Sequence, residues 1–349
     1  MSAQNANTIR DVPESFLSAE FHKAAILAML PTVRVSPMHA FKTILLAVTR
    51  LHSSELELSQ TFRLVSDNKA RLIIAVFDQS LDVLQRLQFL PLEGKLEALC
   101  RKQLEEYSEA LKDKAWEEGV QAEICIVPGK PRQVIGGLIN DYGVDLVVKL
   151  ADPCGPLARN QLTGNDLALL RKCPVPVLMM ASREQLPDFI GKILVAVDVG
   201  GPDPEAVELN RTLLLNGLYL SSQEQAQLHI VSVWGLPVEH HALQHLGEEE
   251  LYELQETTHL RYQKKLDEAL EDAGIDKSRP DIHCHLLKGQ PAQEIQRLAN
   301  EVNVDVIVMG TLGHHSHGVL MGNTAENIIN NVYCSILAIK PEGFVSPLG

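Results

Sequence analysis

The sequence predicts an α/β protein made of two tandem units, each an open, mostly parallel sheet with helices on both faces. Short β-branched-rich apolar runs alternate with amphipathic helical patterns, segments of the first half recur in the second at a near-constant spacing, and a glycine-rich loop leading into a helix start closes the second copy. At 349 residues the chain exceeds one typical domain, and 45% apolar with 22% charged residues describes a globular chain with enough apolar surface for two cores.

The repeat is read from matched segments. Lys42-Thr-Ile-Leu-Leu-Ala-Val-Thr49 and Lys192-Ile-Leu-Val-Ala-Val-Asp198 have the pattern of strands buried on both faces, and each opens one unit. Val127-Pro-Gly-Lys-Pro131 matches Leu287-Lys-Gly-Gln-Pro291, and Asp145-Leu-Val-Val148 matches Asp305-Val-Ile-Val308, both at an offset of 160. Cys173-Pro-Val-Pro-Val-Leu178 and Cys334-Ser-Ile-Leu-Ala-Ile339 close the units at an offset of 161. Between these marks, 92–118 and 248–273 carry apolar residues every three or four positions among charges, which predicts helices. Alternating strands and helices imply right-handed crossovers, with ligands beyond the carboxyl ends of the strands.

The expected boundaries are an extension over 1–39, a first unit over 40–182 and a second over 190–342. Phe16 to Leu30 reads as an amphipathic helix of the extension, interrupted by Glu20, His22 and Lys23. The junction carries Arg183, Glu184, Pro187 and Asp188 and is short enough that the units should touch.

Charge and cysteine usage narrow the function classes. A net charge of −14 disfavours nucleic acid as partner. Six cysteines without a CxxC pair suggest reduced thiols and a cytoplasmic setting. No apolar run approaches the roughly 20 residues of a membrane span, and the N-terminus lacks the pattern of a signal peptide.

The second unit holds the motif with chemistry. After the strand Val304 to Met309 come Gly310-Thr-Leu-Gly313, eight residues, then Gly322-Asn-Thr-Ala-Glu326. Glycines permit close backbone approach, and the N–H groups and dipole of the following helix favour an anion, so phosphate is the natural ligand. The plainer reading is that Asn323 to Glu326 form a near capping box and Gly322 serves only the turn.

With these residues in view, the stretch from Lys192 to Pro341 resembles a universal stress protein domain, whose motif is Gly-x2-Gly, about nine residues, then Gly and a small hydroxyl residue. The first unit shares the resemblance, and Asp145-Leu-Val-Val-Lys149 and Leu169-Leu-Arg-Lys-Cys-Pro174 are similar to the tandem type of this family. The resemblance implies five-stranded domains of the adenine-nucleotide-binding type, often paired through the last strand, here as an intrachain pseudo-dimer, with a homodimer also open. It implies ATP or a related adenine nucleotide, with or without Mg2+. Asp198 matches the acid facing adenosine, and Val233 the position whose backbone meets adenine. Gly310, Thr311 and Gly313 match the phosphate and ribose turn, and Gly322, Asn323 and Thr324 the phosphate-holding helix start.

The sequence departs from the family pattern in its eight-residue spacer and in Asn323. The loop carries no Lys or Arg but has His314, His315 and His317, so affinity for nucleotide is expected to rise as they protonate. A solvated His-rich loop is favoured over a zinc site. In the first unit Thr49 replaces Asp198 and Leu150 replaces Gly310, where a branched side chain is expected to fill the space of a phosphate. Lys149 is read as solvated or paired, and Thr163-Gly-Asn-Asp166 as a remnant helix start acting as a cap.

His283 and His285 should share a strand face, with Cys284 on the other, an incomplete metal site. His240, His241 and His245 are read as a solvated loop. No nucleophile elbow, P-loop or catalytic residue is identified. The expected function is a cytoplasmic stress-response regulator that binds adenine nucleotide in its second unit. The rivals are a weak ATP hydrolase and a carrier of a small apolar ligand in the first unit.

Overall fold

The computed structural model describes residues 41–51, 55–78, 93–151, 162–181, 189–201, 203–236, 246–311 and 321–347. These all belong to one compact unit, His39–Gly349. The extension, most of the junction, Cys154, Gly313, His314, His315 and His317, and His240, His241 and His245 lie outside the described residues.

The first repeat contains β1 (Thr43–Val48), α1 (Glu55–Asn68), β2 (Arg71–Asp78), α2 (Glu93–Glu117), β3 (Ala122–Pro128), α3 (Pro131–Tyr142), β4 (Leu146–Leu150), α4 (Gly164–Lys172) and β5 (Val177–Met180). The second contains β6 (Lys192–Ala196), α5 (Pro204–Glu224), β7 (Gln227–Trp234), α6 (Glu248–Asp272), β8 (Ile282–Lys288), α7 (Pro291–Val302), β9 (Val306–Gly310), α8 (Asn323–Asn331) and β10 (Ser335–Ile339). The strands form one ten-stranded sheet in the order β3-β2-β1-β4-β5-β10-β9-β6-β7-β8. Within each five-stranded half every pairing is parallel. The halves meet through the antiparallel β5–β10 pair, with Leu178 opposite Leu337.

The matched sequence segments have matched structural jobs. Asp145 takes the backbone N–H of Lys42 at 2.7 Å and of Thr43 at 3.0 Å, and Asp305 takes those of Gly191 and Lys192, both at 2.9 Å. Each aspartate thus fastens the start of its repeat's first strand beside the strand it begins. Gly129 and Gly289 turn the chain at φ +98° and +151°, ahead of Pro131 and Pro291 in the first turns of α3 and α7. Only glycine takes such angles without strain, so this corner recurs unchanged.

One match is corrected. Strand register pairs Val147 with Val177 and Ile307 with Ile336, so the closing strands correspond at an offset of 159 rather than 161. Cys173 caps α4 and Val332 caps α8, whereas Cys334 lies two residues beyond the helix cap. The cysteine alignment followed composition, while hydrogen bonding fixes the true register.

The seam is reinforced by side chains. Lys340, buried, donates to the carbonyl of Leu170 at 2.9 Å, and Ser346 to that of Lys172 at 2.6 Å, so residues after β10 cap the end of α4. Burial pulls the Lys340 ammonium down to about 8.

Asp145→Ala and Asp305→Ala each orphan two strand-start N–H groups and should cost about 2–3 kcal/mol, read as a lower urea midpoint. An unchanged midpoint for both variants would show that the aspartates do not fasten the strands.

Candidate functional site

In the second repeat β6 pairs with β7 on one side and β9 on the other, so the connections from β6 to β7 and from β8 to β9 diverge and a crevice lies between them at the carboxyl ends of the strands. That crevice is where an open parallel sheet admits a ligand. Asp198, Val233, Gly310 and Thr311 stand at or just past the ends of these strands, and Gly322, Asn323 and Thr324 begin the helix entered after β9. Gly313 lies outside the described residues, and of the rest of the expected set only Asp198 lines the cavity between α5 and α6.

The loop after β6 is tightly fixed. The Asp198 backbone N–H donates to Asn210 Oδ1 at 3.1 Å, and Asn210 Nδ2 donates back to the Asp198 carbonyl at 2.6 Å. Lys265 Nζ reaches the carbonyls of Gly200 and Gly201 at 3.3 and 3.1 Å. The exposed Asp198 carboxylate accepts from the Gly200 N–H at 2.9 Å and remains at the surface of the crevice. The neighbouring cavity between α5 and α6 has about 140 Å³, well under the roughly 300 Å³ at which small-molecule pockets begin, so it is no nucleotide pocket by itself.

Thr311 is fully buried. Its N–H bonds the Ile339 carbonyl at 3.3 Å, its carbonyl takes the Gly322 N–H at 3.1 Å, and its hydroxyl has no partner among the described residues. Gly322 is the N-cap of α8 at φ −64° and ψ 142°, and as a glycine it brings no capping side chain. Asn323 and Thr324, both exposed, are its first two residues, and the first intrahelical bond runs from Glu326 N to Gly322 O at 3.0 Å. Among the described residues, no side chain therefore accepts from the first-turn amides. The capping box expected from Asn323 to Glu326 does not form, because the helix begins one residue earlier in the chain than that spacing requires. Glu326 pairs instead with Arg171 of the first repeat, at 2.5 Å.

Gly310 owes part of its identity to packing. A side chain there would come within 2.9 Å of Leu209 on α5, so the glycine serves the helix facing away from α8. Leu150, at the matching position, is buried at the end of β4. Its neighbour Lys149 points toward α4. Its ammonium lies 2.7 Å from Asp166 Oδ1, with both side chains 0% exposed, and it also donates to the Leu150 carbonyl at 3.0 Å. Asp166 Oδ2 takes the Thr163 N–H at 2.9 Å and the Thr163 hydroxyl at 2.7 Å, while the Thr163 oxygen takes the Asp166 N–H at 3.3 Å. The remnant helix start is thus a complete capping box whose acid also neutralises the lysine. Sequence reading noticed Lys149 and the 163–166 segment separately but did not join them.

A second cluster was only half visible. His283 and His285 do share a face, and β7 adds His229, whose Nδ1 lies 3.1 Å from His285 Nε2 and whose ring lies 4.7 Å from that of His283. Among the described residues no three such side chains are arranged to hold a metal ion. Burial first, then the neighbouring imidazoles, push the His229 ring down to about 4, and His285 is lowered for the same reasons. Strand register sets His229 where the first repeat has the buried Ile73, a comparison that would have exposed it in the sequence.

The comparisons with known proteins fit this geometry. The universal stress protein family profile matches residues 40–181 and again 190–340, so the chain belongs to that family, as two tandem copies. A universal stress protein E homolog of Haemophilus influenzae is 26% identical over 86% of this chain and 98% of its own length. Universal stress protein E of Escherichia coli is 30% identical over 66% of this chain and 72% of its own. Among solved structures, a protein of unknown function from Pseudomonas aeruginosa is 24% identical with a TM-score of 0.65, covering 87% of this chain and 94% of that one. A universal stress protein from Archaeoglobus fulgidus, 16% identical, covers 86% and 96% with a TM-score of 0.55. Both share the fold. No helix among the described residues is long and apolar enough to cross a membrane.

Two predictions follow from these clusters. Lys149→Met leaves Asp166 as an unpaired buried charge and should cost about 3–5 kcal/mol in urea unfolding, whereas Lys149→Met with Asp166→Ala should recover much of that loss. Equal losses for the single and double variants would refute the coupling. His229, 7% exposed, binds its proton less readily in the folded state than its ordinary 6.5. The unfolded chain therefore takes up more protons as pH falls, so this contribution is full above about 6.5 and lost on descent toward 4. The loss should amount to about 2–3 kcal/mol. His229→Ile should flatten the fall in urea midpoint between pH 7.5 and 4.5, and an unaltered slope would refute the assignment.

Proposed function

We propose that the second repeat binds ATP or a related adenine nucleotide, with or without Mg2+, in the crevice bounded by Asp198, Val233, Gly310, Thr311, Gly313, Gly322, Asn323 and Thr324. In this reading the protein is a cytoplasmic stress-response regulator whose ligand state is passed across the β5–β10 seam. The supporting observation is the contrast between two equivalent helix starts. In the first repeat the start of α4 is capped and balanced by its own residues; in the second the N-cap is a glycine, Asn323 and Thr324 are exposed, and the Thr311 hydroxyl beside them has no partner among the described residues. Free helix-start amides and the positive end of the dipole favour a phosphate oxygen.

A second reading keeps a ligand role for the first repeat. A cavity of about 260 Å³ lies beyond β1 and β2 against α2, lined in part by Val48, Leu51, Phe77 and Leu104. It suits a small, mainly apolar molecule, and native mass spectrometry of the freshly purified protein would distinguish a retained apolar ligand from a retained nucleotide.

Gly322 has backbone angles open to any residue, which permits a direct test. Gly322→Asp supplies a capping side chain and should raise stability by roughly 0.3–0.5 kcal/mol. The same carboxylate would repel phosphates and should weaken ATP at least about tenfold by calorimetry. Absence of ATP binding by the unaltered protein at millimolar concentration, or undiminished binding by the variant, would refute the reading.

A further inference from the structure

The phosphate crevice of the second repeat lacks an obvious cation in its own loop, yet one stands beside it. Arg171, in the last turn of α4, holds Glu326, in the first turn of α8, at 2.5 Å across the seam. Glu326 follows Gly322 by four residues, which sets it on the same side of the helix about one turn away. At the offset of 159, the related positions are Leu167 for Glu326 and Asn330 for Arg171, which carry no charge. The seam is nearly two-fold symmetric, but this ion pair is one-sided.

We infer that Arg171 is the cation of the second repeat's phosphate site: it rests on Glu326 when the crevice is empty and turns to a phosphate oxygen when nucleotide is bound. This rests on the nucleotide reading above and adds which residue reads the phosphates. Magnitudes favour a displaceable pair over a structural rivet. Arg171 and Glu326 side chains are 35% and 39% exposed, and an exposed pair contributes only about 0–1 kcal/mol to stability. The seam is held by strand pairing and by Lys340 and Ser346, so it does not need this bond. The multiply charged tail of a nucleotide can outcompete one carboxylate for a guanidinium, whose planar fork matches phosphate oxygens. The Lys149–Asp166 pair behaves oppositely, since both partners are 0% exposed and a soluble anion has no route to exchange with them at low cost.

Glu326 then has two effects: it occupies Arg171 and adds a negative charge near incoming phosphates. Removing it should help ATP, whereas removing Arg171 should hurt. A purely structural pair would give the same sign for both variants, because either substitution breaks the same contact.

The experiment is calorimetry of the full chain with ATP and, separately, adenosine. Arg171→Met should weaken ATP about fivefold and Glu326→Gln should tighten it about threefold to fivefold, with adenosine unchanged in both. Both shifts should shrink in about 0.5 M salt. The inference is overturned when the two variants move ATP in the same direction, or when neither alters the ratio of ATP to adenosine affinity. If the unaltered protein fails to bind ATP, the nucleotide reading falls and takes this inference with it; if it binds and the ratio holds, only the role of Arg171 falls.

Discussion

The antiparallel pairing of β5 with β10 is the constraint on which the rest of the molecule depends. Both strands are wholly buried and, Ser335 apart, apolar, and in an isolated repeat each would be an exposed hydrophobic edge. Pairing them satisfies both edges and fuses two five-stranded halves into a single sheet. The outer edges, β3 and β8, are half-exposed along their length and carry polar residues such as Glu123, His283 and Lys288. Because the pairing is antiparallel, it also brings the end of α4 toward the beginning of α8, where Arg171 of one repeat meets Glu326 of the other.

Given that frame, the repeats have diverged in electrostatics rather than in fold. Each presents a helix start beyond its fourth strand, and each must satisfy the N–H groups that begin a helix. The first repeat does so internally, with Thr163 and Asp166 as cap and Lys149 as counter-charge, the two charged side chains closed from water. The second has Met309 at the matching lysine position and Gly322 at the cap, so these positions supply neither a buried cation nor a capping side chain. The family profile matches both halves, yet their helix starts differ in charge and in capping.

Much of this architecture was legible because buried strands and backbone corners leave strong signatures. The Asp145 and Asp305 segments, the Gly-x-Pro corners and the two long helices fall where the pattern of apolar and turn residues put them. Helix starts were less legible, since Asn323-Thr-Ala-Glu326 satisfies a capping-box spacing while the actual cap is Gly322, a residue with no side chain to signal it. Gly310 drew attention for phosphate approach, yet a side chain there would also press on Leu209, which would have to shift. Contacts between elements distant in sequence were invisible: Lys149 meets Asp166, Arg171 meets Glu326 and His229 meets His285 only once the strands are ordered. No local period encodes such pairs, although comparing the repeats position by position would have singled out His229 against Ile73.

The same contrast limits where a regulatory change can occur. A ligand shifts a conformational equilibrium only through interactions that differ between its states. The continuous strand ladder and the dry Lys149–Asp166 pair resist rearrangement, because moving either means breaking buried polar contacts worth several kcal/mol. The Arg171–Glu326 pair is half-exposed and costs about 1 kcal/mol or less to break, well within the reach of a bound phosphate. In the proposed reading, the first repeat is therefore a fixed platform and the second is the responsive partner. Retention of a half with a capped helix start then has a physical reason, since a platform that did not itself bind and move could hold Arg171 at a constant position against α8.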